Sequence, residues 1–293
     1  MEISAREHLL TEEEHEIFNR DGILTIKNAL TPEQTDFLNN LVGEYDSEYR
    51  KKHGLSSSER LSDVDIVGRH PALLDLLDCP TTLPKVWGIL GWNIRLYHSY
   101  LVDTPPDPES KKFLGWHQDS GRLNDELEGE PRPRISLKVM FCLSDTTETG
   151  RANFYVVPGS HLFNKIELPR LTKTDELPEN AVPVLAGPGD AVLFDRRIWH
   201  TASYNVWDQS RRVIFYGYSY RWLVASDEMT VDPSTWEDLD PIRRQLLGEP
   251  SKRSTNFSQN PGLAPVGYGF TYDDEVPLKQ WIENHVGEHA VTP

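Results

Sequence analysis

A histidine and an aspartate lie two positions apart in the stretch "FLGWHQDSGR" (113–122). Side chains two positions apart on an extended segment point the same way, so those of His117 and Asp119 can converge on one point. An imidazole and a carboxylate are two of the three ligands of the 2-His-1-carboxylate site, which holds Fe(II) and leaves coordination positions open. The alternative is two polar residues at the end of a strand, and this short pattern does not decide between the two.

A third metal ligand would have to come from a distant part of the chain. Among ten histidines the best candidate is His200, at the end of the apolar run "GDAVLFDRRIWH" (189–200), although a core or turn histidine is an equally good explanation of it alone. Arg211 begins the next strand-like run, and an antiparallel return from the strand carrying His200 would bring its guanidinium near the metal. A guanidinium there suits bidentate capture of a carboxylate.

The secondary-structure elements that must position these residues are predicted to be mainly helices in the first part of the chain and mainly strands after it. Capping-box patterns at Thr11 and Thr31 predict helices over 9–22 and 31–51, with a strand over 23–30 between them. From about residue 93, runs rich in β-branched and aromatic residues alternate with Pro and Gly, which is typical of an antiparallel sandwich or barrel. The sequence therefore predicts one domain over 1–293, mainly β with flanking helices. Its parts are a mostly helical region (1–92), a β core (93–222) and an irregular C-terminal extension (223–293).

Composition narrows the class of protein. The 30 Lys and Arg against 46 Asp and Glu give a formal net charge of −16, which argues against binding nucleic acid through its phosphates. Two cysteines, Cys79 and Cys142, do not make a disulfide framework. The acidic start lacks the features of a signal peptide, and no apolar run is long enough for a membrane helix. We expect a soluble cytoplasmic protein, monomeric or homodimeric, that acts on a small molecule rather than on nucleic acid or a membrane.

Four motifs in one order resemble the phytanoyl-CoA dioxygenase family, over about residues 9–220. They are His117-Gln118-Asp119, "VVPGSH" (156–161), "GDAVLF" followed by "WHTASYN" (189–205), and Arg211. The resemblance implies a double-stranded β-helix core, also called jelly-roll or cupin-like. It also implies an oxygenase that uses Fe(II), 2-oxoglutarate and O2, as ectoine hydroxylase does, and that releases succinate and CO2. Hydroxylation is the usual outcome, and desaturation, epoxidation or rearrangement are the alternatives.

The resemblance also assigns roles residue by residue. His117, Asp119 and His200 match the iron ligands, and Arg211 matches the arginine that pairs with the distal carboxylate of 2-oxoglutarate. Thr104 falls where related members carry a cofactor-binding lysine, so it can only supply a hydroxyl. His98 falls where ectoine hydroxylases have a cofactor-contacting glutamine, and a structural histidine is the alternative. In related halogenases a small residue replaces the carboxylate ligand. Because Asp119 is present here, the resemblance favours hydroxylation over halogenation.

The predicted substrate pocket is less well defined. Its expected walls are Tyr100 (or Tyr97), Trp116 and Met140, with the loop 120–133 and the tail after Trp222 as lids, although each aromatic is equally well explained as core. Lys138 and Arg134 share one face of a predicted strand and could bind a substrate carboxylate; a solvated outer face is the alternative. Such walls suit a small or medium organic molecule, as in secondary metabolism.

Two rival functions remain at this point. One is a non-catalytic jelly-roll binding module. In such a protein a metal ligand or Arg211 should be missing, but all of these residues are present. The other is a cupin-type enzyme with a different metal, which draws on more histidines at closer spacing and does not need the arginine.

Overall fold

The computed structural model describes residues 1–109, 113, 115–119, 121–167, 177–249 and 276–291. In that part of the chain the α-helices are α1 (Glu12–Asp21), α2 (Pro32–His53), α3 (Pro71–Asp75), α4 (Leu83–Leu90), α5 (Leu123–Glu126), α6 (Pro233–Asp238), α7 (Pro241–Leu246) and α8 (Pro277–His285). The strands are β1 (Ile23–Ile26), β2 (Leu61–Val64), β3 (Ile94–Thr104), β4 (Ser136–Cys142), β5 (Phe154–Val156), β6 (Val182–Val184), β7 (Ala191–Asp195), β8 (His200–Ala202) and β9 (Arg211–Tyr220).

The two N-terminal helices begin where the capping patterns predict. The Thr11 hydroxyl accepts from the backbone N–H of Glu14, whose carboxylate accepts from the Thr11 N–H in return. Thr31 and Gln34 form the same reciprocal pair at the start of α2. Each pair satisfies two backbone donors that a helix start otherwise leaves open. Both predicted helices are therefore confirmed.

The first strand is shorter than predicted. β1 ends at Ile26 instead of continuing to residue 30, because Asn28 has a φ of 51° and turns the chain out of the extended conformation. The turn is held by Asp190, whose carboxylate accepts from the Asn28 backbone N–H and the Lys27 ammonium. β-Propensity alone did not reveal this interaction, since Asp190 is distant in sequence.

The strands form two sheets. One has the order β1-β7-β4-β9-β3-β2, and the other has the order β6-β5-β8. The pairs β1–β7, β4–β7, β2–β3, β5–β6 and β5–β8 are antiparallel. A shared apolar core joins Phe154 and Val156 of the small sheet to Met140, Phe194 and Phe215 of the large one. The prediction of a mainly β protein with flanking helices is confirmed.

The run that carries His200 is divided between the two sheets, contrary to the single strand predicted. β7 ends at Asp195, whose carboxylate accepts from the backbone N–H and the guanidinium of Arg197 and so forms a tight turn. β8 then begins at His200 and pairs with β5. The chain therefore crosses from the large sheet to the small one between the two strands.

The described residues fall into two units. The first comprises Met1–Leu10, Asp65–Ser99 and Tyr216–Pro293, and the second comprises Thr11–Val64 and Tyr100–Phe215. In the first unit, the described part of the tail contains α6, α7 and α8, whereas the sequence predicted an irregular extension there. Asp240 caps α7 by accepting from the Ile242 and Arg243 N–H groups. Residues 250–275, 292 and 293 of the predicted irregular extension lie outside the described residues. None of the helices in the described ranges has the length and apolar character needed to cross a membrane.

Candidate metal centre

Two of the three predicted ligands are brought together by backbone pairing within the second unit. His117 and His200 form an antiparallel bridge in which each backbone N–H donates to the other's carbonyl at 3.0 Å. Their ring centroids are 4.2 Å apart. With Asp119, the histidines offer one ligand atom each, and the three atoms lie within 4.8 Å of one another. The arrangement joins an imidazole from β8 to an imidazole and a carboxylate from the segment beside it.

The backbone of Asp119 is held by a buried polar chain that sequence reasoning missed. Its N–H donates to the Arg196 carbonyl at 2.9 Å, and its own carbonyl accepts from the Asn124 amide at 2.8 Å. The Arg196 guanidinium donates to the Asn124 side-chain oxygen and is fully buried. Asn124 comes from α5, inside the predicted lid 120–133 (of which residue 120 lies outside the described residues). At least this part of the loop therefore supports the site.

The hydrogen bonds of the two histidines fix their tautomers. His117 Nδ1 lies 2.8 Å from the Gly115 carbonyl, and His200 Nδ1 lies 2.9 Å from the Ile198 carbonyl. A carbonyl only accepts, so each Nδ1 carries a proton, and in the neutral ring the lone pair is then on Nε2. This pattern is the one that orients metal-binding histidines.

Charge and burial at the site also suit metal binding. Burial alone would raise the pKa of Asp119, but the charges of Lys138, His200 and His117 and the Lys138 hydrogen bond hold it below its ordinary value. Burial lowers the pKa of His200 to about 4, partly offset by Asp119. The carboxylate is therefore ionised and the imidazole neutral at neutral pH, which are the forms that bind a metal.

Lys138 faces this site, so the alternative of a solvated outer face is wrong for it. The residue is buried, and its ammonium lies 3.0 Å from Asp119 Oδ1. Arg134, predicted to share its face, instead pairs at 2.8 Å with Asp195 and stacks over Phe18. Arg134 precedes β4, so strand alternation does not carry back to it.

Arg211 is a buried cation that no described carboxylate neutralises at salt-bridge distance. It is 3% exposed, its Nη2 lies 3.2 Å from Met140 Sδ, and its Nε has no hydrogen-bond partner among the described residues. Burial lowers the pKa of Arg211 to about 10, partly offset by Cys142, so it remains charged at neutral pH. The predicted hairpin was wrong, because β8 and β9 belong to different sheets. An unpaired buried guanidinium fits an anionic ligand.

The other predicted site residues have varied surroundings. Tyr100 stacks on Phe215 with centroids 4.4 Å apart, Met140 belongs to the core, and Trp116 is buried. Thr104 ends β3, and its carbonyl accepts from the Asn205 amide at 2.8 Å.

His98 belongs to the first unit, where its Nδ1 lies 2.6 Å from Asp227 Oδ1. Tyr97 belongs to the same unit, where its ring packs against Gly217. The cofactor role of His98 stays a prediction.

Comparison with known proteins gives one family. The profile of the phytanoyl-CoA dioxygenase (PhyH) family matches residues 18–213. Dioxygenase af480 from Aspergillus fumigatus is 28% identical over 151 residues, which cover 49% of this chain and 43% of that protein. The match thus spans less than half of the relative's length.

Two solved structures have a similar fold. HygX from Streptomyces hygroscopicus, crystallised with nickel and 2-oxoglutarate, is 18% identical with a TM-score of 0.58, covering 78% of this chain and 93% of HygX. SnoN, a non-haem alpha-ketoglutarate-dependent epimerase from nogalamycin biosynthesis, is 19% identical with a TM-score of 0.51, covering 71% and 80% of the two chains.

Proposed function

The chain belongs to the phytanoyl-CoA dioxygenase family, and we propose that it is an Fe(II)- and 2-oxoglutarate-dependent dioxygenase that hydroxylates an unactivated C–H bond of a small or medium organic molecule. The observation that carries the proposal is the convergence of His117, Asp119 and His200 within 4.8 Å. Two imidazoles and one carboxylate are the ligand set of non-haem Fe(II) oxygenases.

The ligand atoms are available for iron. In its neutral form each histidine has its lone pair on Nε2, and Asp119 Oδ2 is buried with no hydrogen-bond partner among the described residues. Iron with 2-oxoglutarate would supply the oxidising chemistry, in which O2 is consumed, 2-oxoglutarate is converted to succinate and CO2, and the substrate C–H bond is oxidised. The protein's part is to hold and orient these groups.

Arg211 would bind the distal carboxylate of 2-oxoglutarate. A buried guanidinium without an anionic partner is unfavourable, and a carboxylate would relieve this cost through two parallel hydrogen bonds. Met140 supports Nη2 at 3.2 Å. Thr104 and His98 are secondary candidates for contact with 2-oxoglutarate, on the family resemblance alone.

Apolar side chains around the ligands would exclude water from the reaction. The His200 ring lies 5.1 Å from the Phe154 ring and 5.4 Å from the Phe194 ring, measured between centroids. A dry site strengthens electrostatic interactions and protects reactive species from side reactions. Tyr100, Trp116 and Lys138 are the proposed substrate contacts.

The reaction outcome is proposed from the ligand set. Asp119 leaves no vacancy for a halide at the carboxylate position, which favours hydroxylation over halogenation. Multistep oxidation or rearrangement by the same site is the alternative, and the epimerase SnoN is an example of a different outcome on a similar fold. A small-molecule substrate from secondary metabolism fits the SnoN likeness and the absence of a surplus of basic residues.

The proposal is tested by following succinate in protein supplied with Fe(II), 2-oxoglutarate, ascorbate and O2. Slow succinate formation without the true substrate is the expected result, and it should disappear in His200→Ala. The matched control is His53→Ala, since His53 lies at the exposed end of α2. Succinate at the same rate in wild type and His200→Ala would reject the proposed iron site.

A further inference from the structure

The ammonium of Lys138 contacts one of the proposed metal ligands directly. Lys138 extends from β4 in the large sheet, whereas Asp119 follows the segment that pairs with β8 of the small sheet. Their Nζ and Oδ1 atoms are 3.0 Å apart, and the two side chains are 7% and 12% exposed. The pair therefore links the two sides of the site through a largely buried charge-assisted contact.

Tyr100 holds the lysine in this position. Its hydroxyl oxygen accepts from Lys138 Nζ at 3.3 Å, and Nζ lies 4.9 Å from the centroid of its ring. The ring is itself fixed, because it stacks on Phe215. The ammonium thus has a defined place, unlike that of a surface lysine with a free side chain.

The two oxygens of Asp119 are in different situations. Oδ1 accepts from Lys138, whereas Oδ2 is buried and has no hydrogen-bond partner among the described residues. Oδ1 also lies 4.0 Å from His200 Nε2. While Lys138 occupies Oδ1, a metal ion can bind Oδ2 without competing with the ammonium for the same oxygen. Lys138 is therefore placed to fix the carboxylate while Oδ2 stays available.

We propose that Lys138 is a positioning residue for the metal centre, which fixes Asp119 so that it binds the metal through a single oxygen. This inference rests on the proposed iron site and deepens it. Hydrogen-bond partners of metal ligands commonly contribute about 10- to 100-fold to metal affinity. The ammonium also repels a dication, but the separate roles of Oδ1 and Oδ2 make the positioning effect the larger one.

The test is calorimetric titration of metal-free protein with Co(II), without 2-oxoglutarate or substrate. Lys138→Met removes the charge at similar length and should weaken binding by about 10- to 100-fold. Lys138→Arg keeps a charged donor and should recover part of the loss. The matched control, Lys27→Met, alters an exposed lysine that pairs with Asp190 and should leave the affinity unchanged.

A second readout separates positioning from a general structural role. The visible absorption of bound Co(II) reports its coordination, and it should change in Lys138→Met because the released Oδ1 can then also bind the metal. Tyr100→Phe keeps the lysine but removes its hydroxyl acceptor. It should weaken Co(II) binding by about 2- to 10-fold, the value of one hydrogen bond, and it keeps the test usable if Lys138→Met does not fold.

The outcomes distinguish this inference from the proposed function. If wild type binds one Co(II), His200→Ala binds none, and Lys138→Met binds as tightly as wild type or more tightly, the role of Lys138 is overturned while the metal site stands. If wild type binds no Co(II), or His200→Ala binds it equally well, the proposed iron site is rejected and the inference falls with it.

Discussion

The backbones of His117 and His200 exchange two hydrogen bonds of 3.0 Å, although the residues are 83 positions apart in the sequence. This bridge sets the two imidazoles side by side by main-chain pairing, so their spacing does not depend on a metal. Asp119, two residues after His117, donates its backbone N–H to the Arg196 carbonyl. The metal centre is therefore largely preorganised, which reduces the ordering cost of binding.

Asn124→Ala should weaken metal binding without removing a ligand. The amide of Asn124 donates to the Asp119 carbonyl and receives a hydrogen bond from Arg196, so its loss frees the ligand-bearing turn and leaves a buried guanidinium short of an acceptor. We expect about a 10-fold loss of Co(II) affinity, within the range for residues that support metal ligands. Asn40→Ala, at an exposed position of α2, is the control. Equal Co(II) affinities in the two variants would show that Asn124 does not support the metal centre.

Arg211→Met should weaken 2-oxoglutarate binding far more than metal binding. Truncating one partner of a buried charge pair costs roughly 2–5 kcal/mol, so the Kd for 2-oxoglutarate in Co(II)-loaded protein should rise at least about 30-fold. Calorimetry measures both affinities on the same protein. Arg20→Met is the control, because the Arg20 side chain is 71% exposed. An unchanged Kd for 2-oxoglutarate would show that another group binds its distal carboxylate.

Asp195→Asn should destabilise the protein in a pH-dependent way. Burial would raise the pKa of Asp195, but hydrogen bonds and charges from Arg197 and Arg134 outweigh it and hold the pKa below its ordinary value. The ionised carboxylate therefore stabilises the fold above the unfolded-state pKa of about 4, and this contribution is lost as pH falls through the lower folded-state pKa.

The size of the Asp195 effect follows from its buried position. Removing one partner of a buried ion pair costs roughly 3–5 kcal/mol, so urea unfolding at pH 7 should show a loss of this order. The difference between wild type and Asp195→Asn should shrink as the pH is lowered below about 4. A difference that is constant from pH 7 to pH 3 would contradict the assignment.

Phe194→Ala should weaken both the fold and the site. Phe194 is 1% exposed and its ring faces those of His200, Phe154 and Phe215. Truncating a buried phenylalanine costs roughly 3–5 kcal/mol. Phe163→Ala is the control, since Phe163 is 56% exposed and should change the free energy of unfolding by less than about 0.5 kcal/mol. Similar losses in the two variants, measured by urea unfolding, would contradict the packing described.

Local patterns in the sequence predict much of this structure, and the errors come from distant contacts. The helices capped by Thr11 and Thr31 need only neighbouring residues, so their starts could be predicted. The early end of β1 depends on Asp190, and the break between β7 and β8 depends on a turn at Asp195 within a run that has the propensity of one strand. Propensity does not include such interactions.

The candidate site could likewise be predicted from the sequence only in part. Residue type and spacing pointed to His117, Asp119 and His200, because few side chains bind iron. Arg211 was predicted both through a hairpin that does not exist and through the family resemblance, so only the resemblance still supports its assigned role. The roles of Asn124 and Lys138 could not be predicted, since each acts through a contact with Asp119 that only the tertiary structure brings about.

The most direct test is the position of iron in crystals grown with Fe(II) and 2-oxoglutarate without oxygen. Anomalous diffraction at the iron absorption edge locates the ion independently of any assumption about its ligands. We expect one strong peak, at bonding distance from the Nε2 atoms of His117 and His200 and from one oxygen of Asp119. That distance is about 2.0–2.2 Å for nitrogen and oxygen ligands of similar metals. Iron bound elsewhere, or no peak in protein that is otherwise folded, would contradict it.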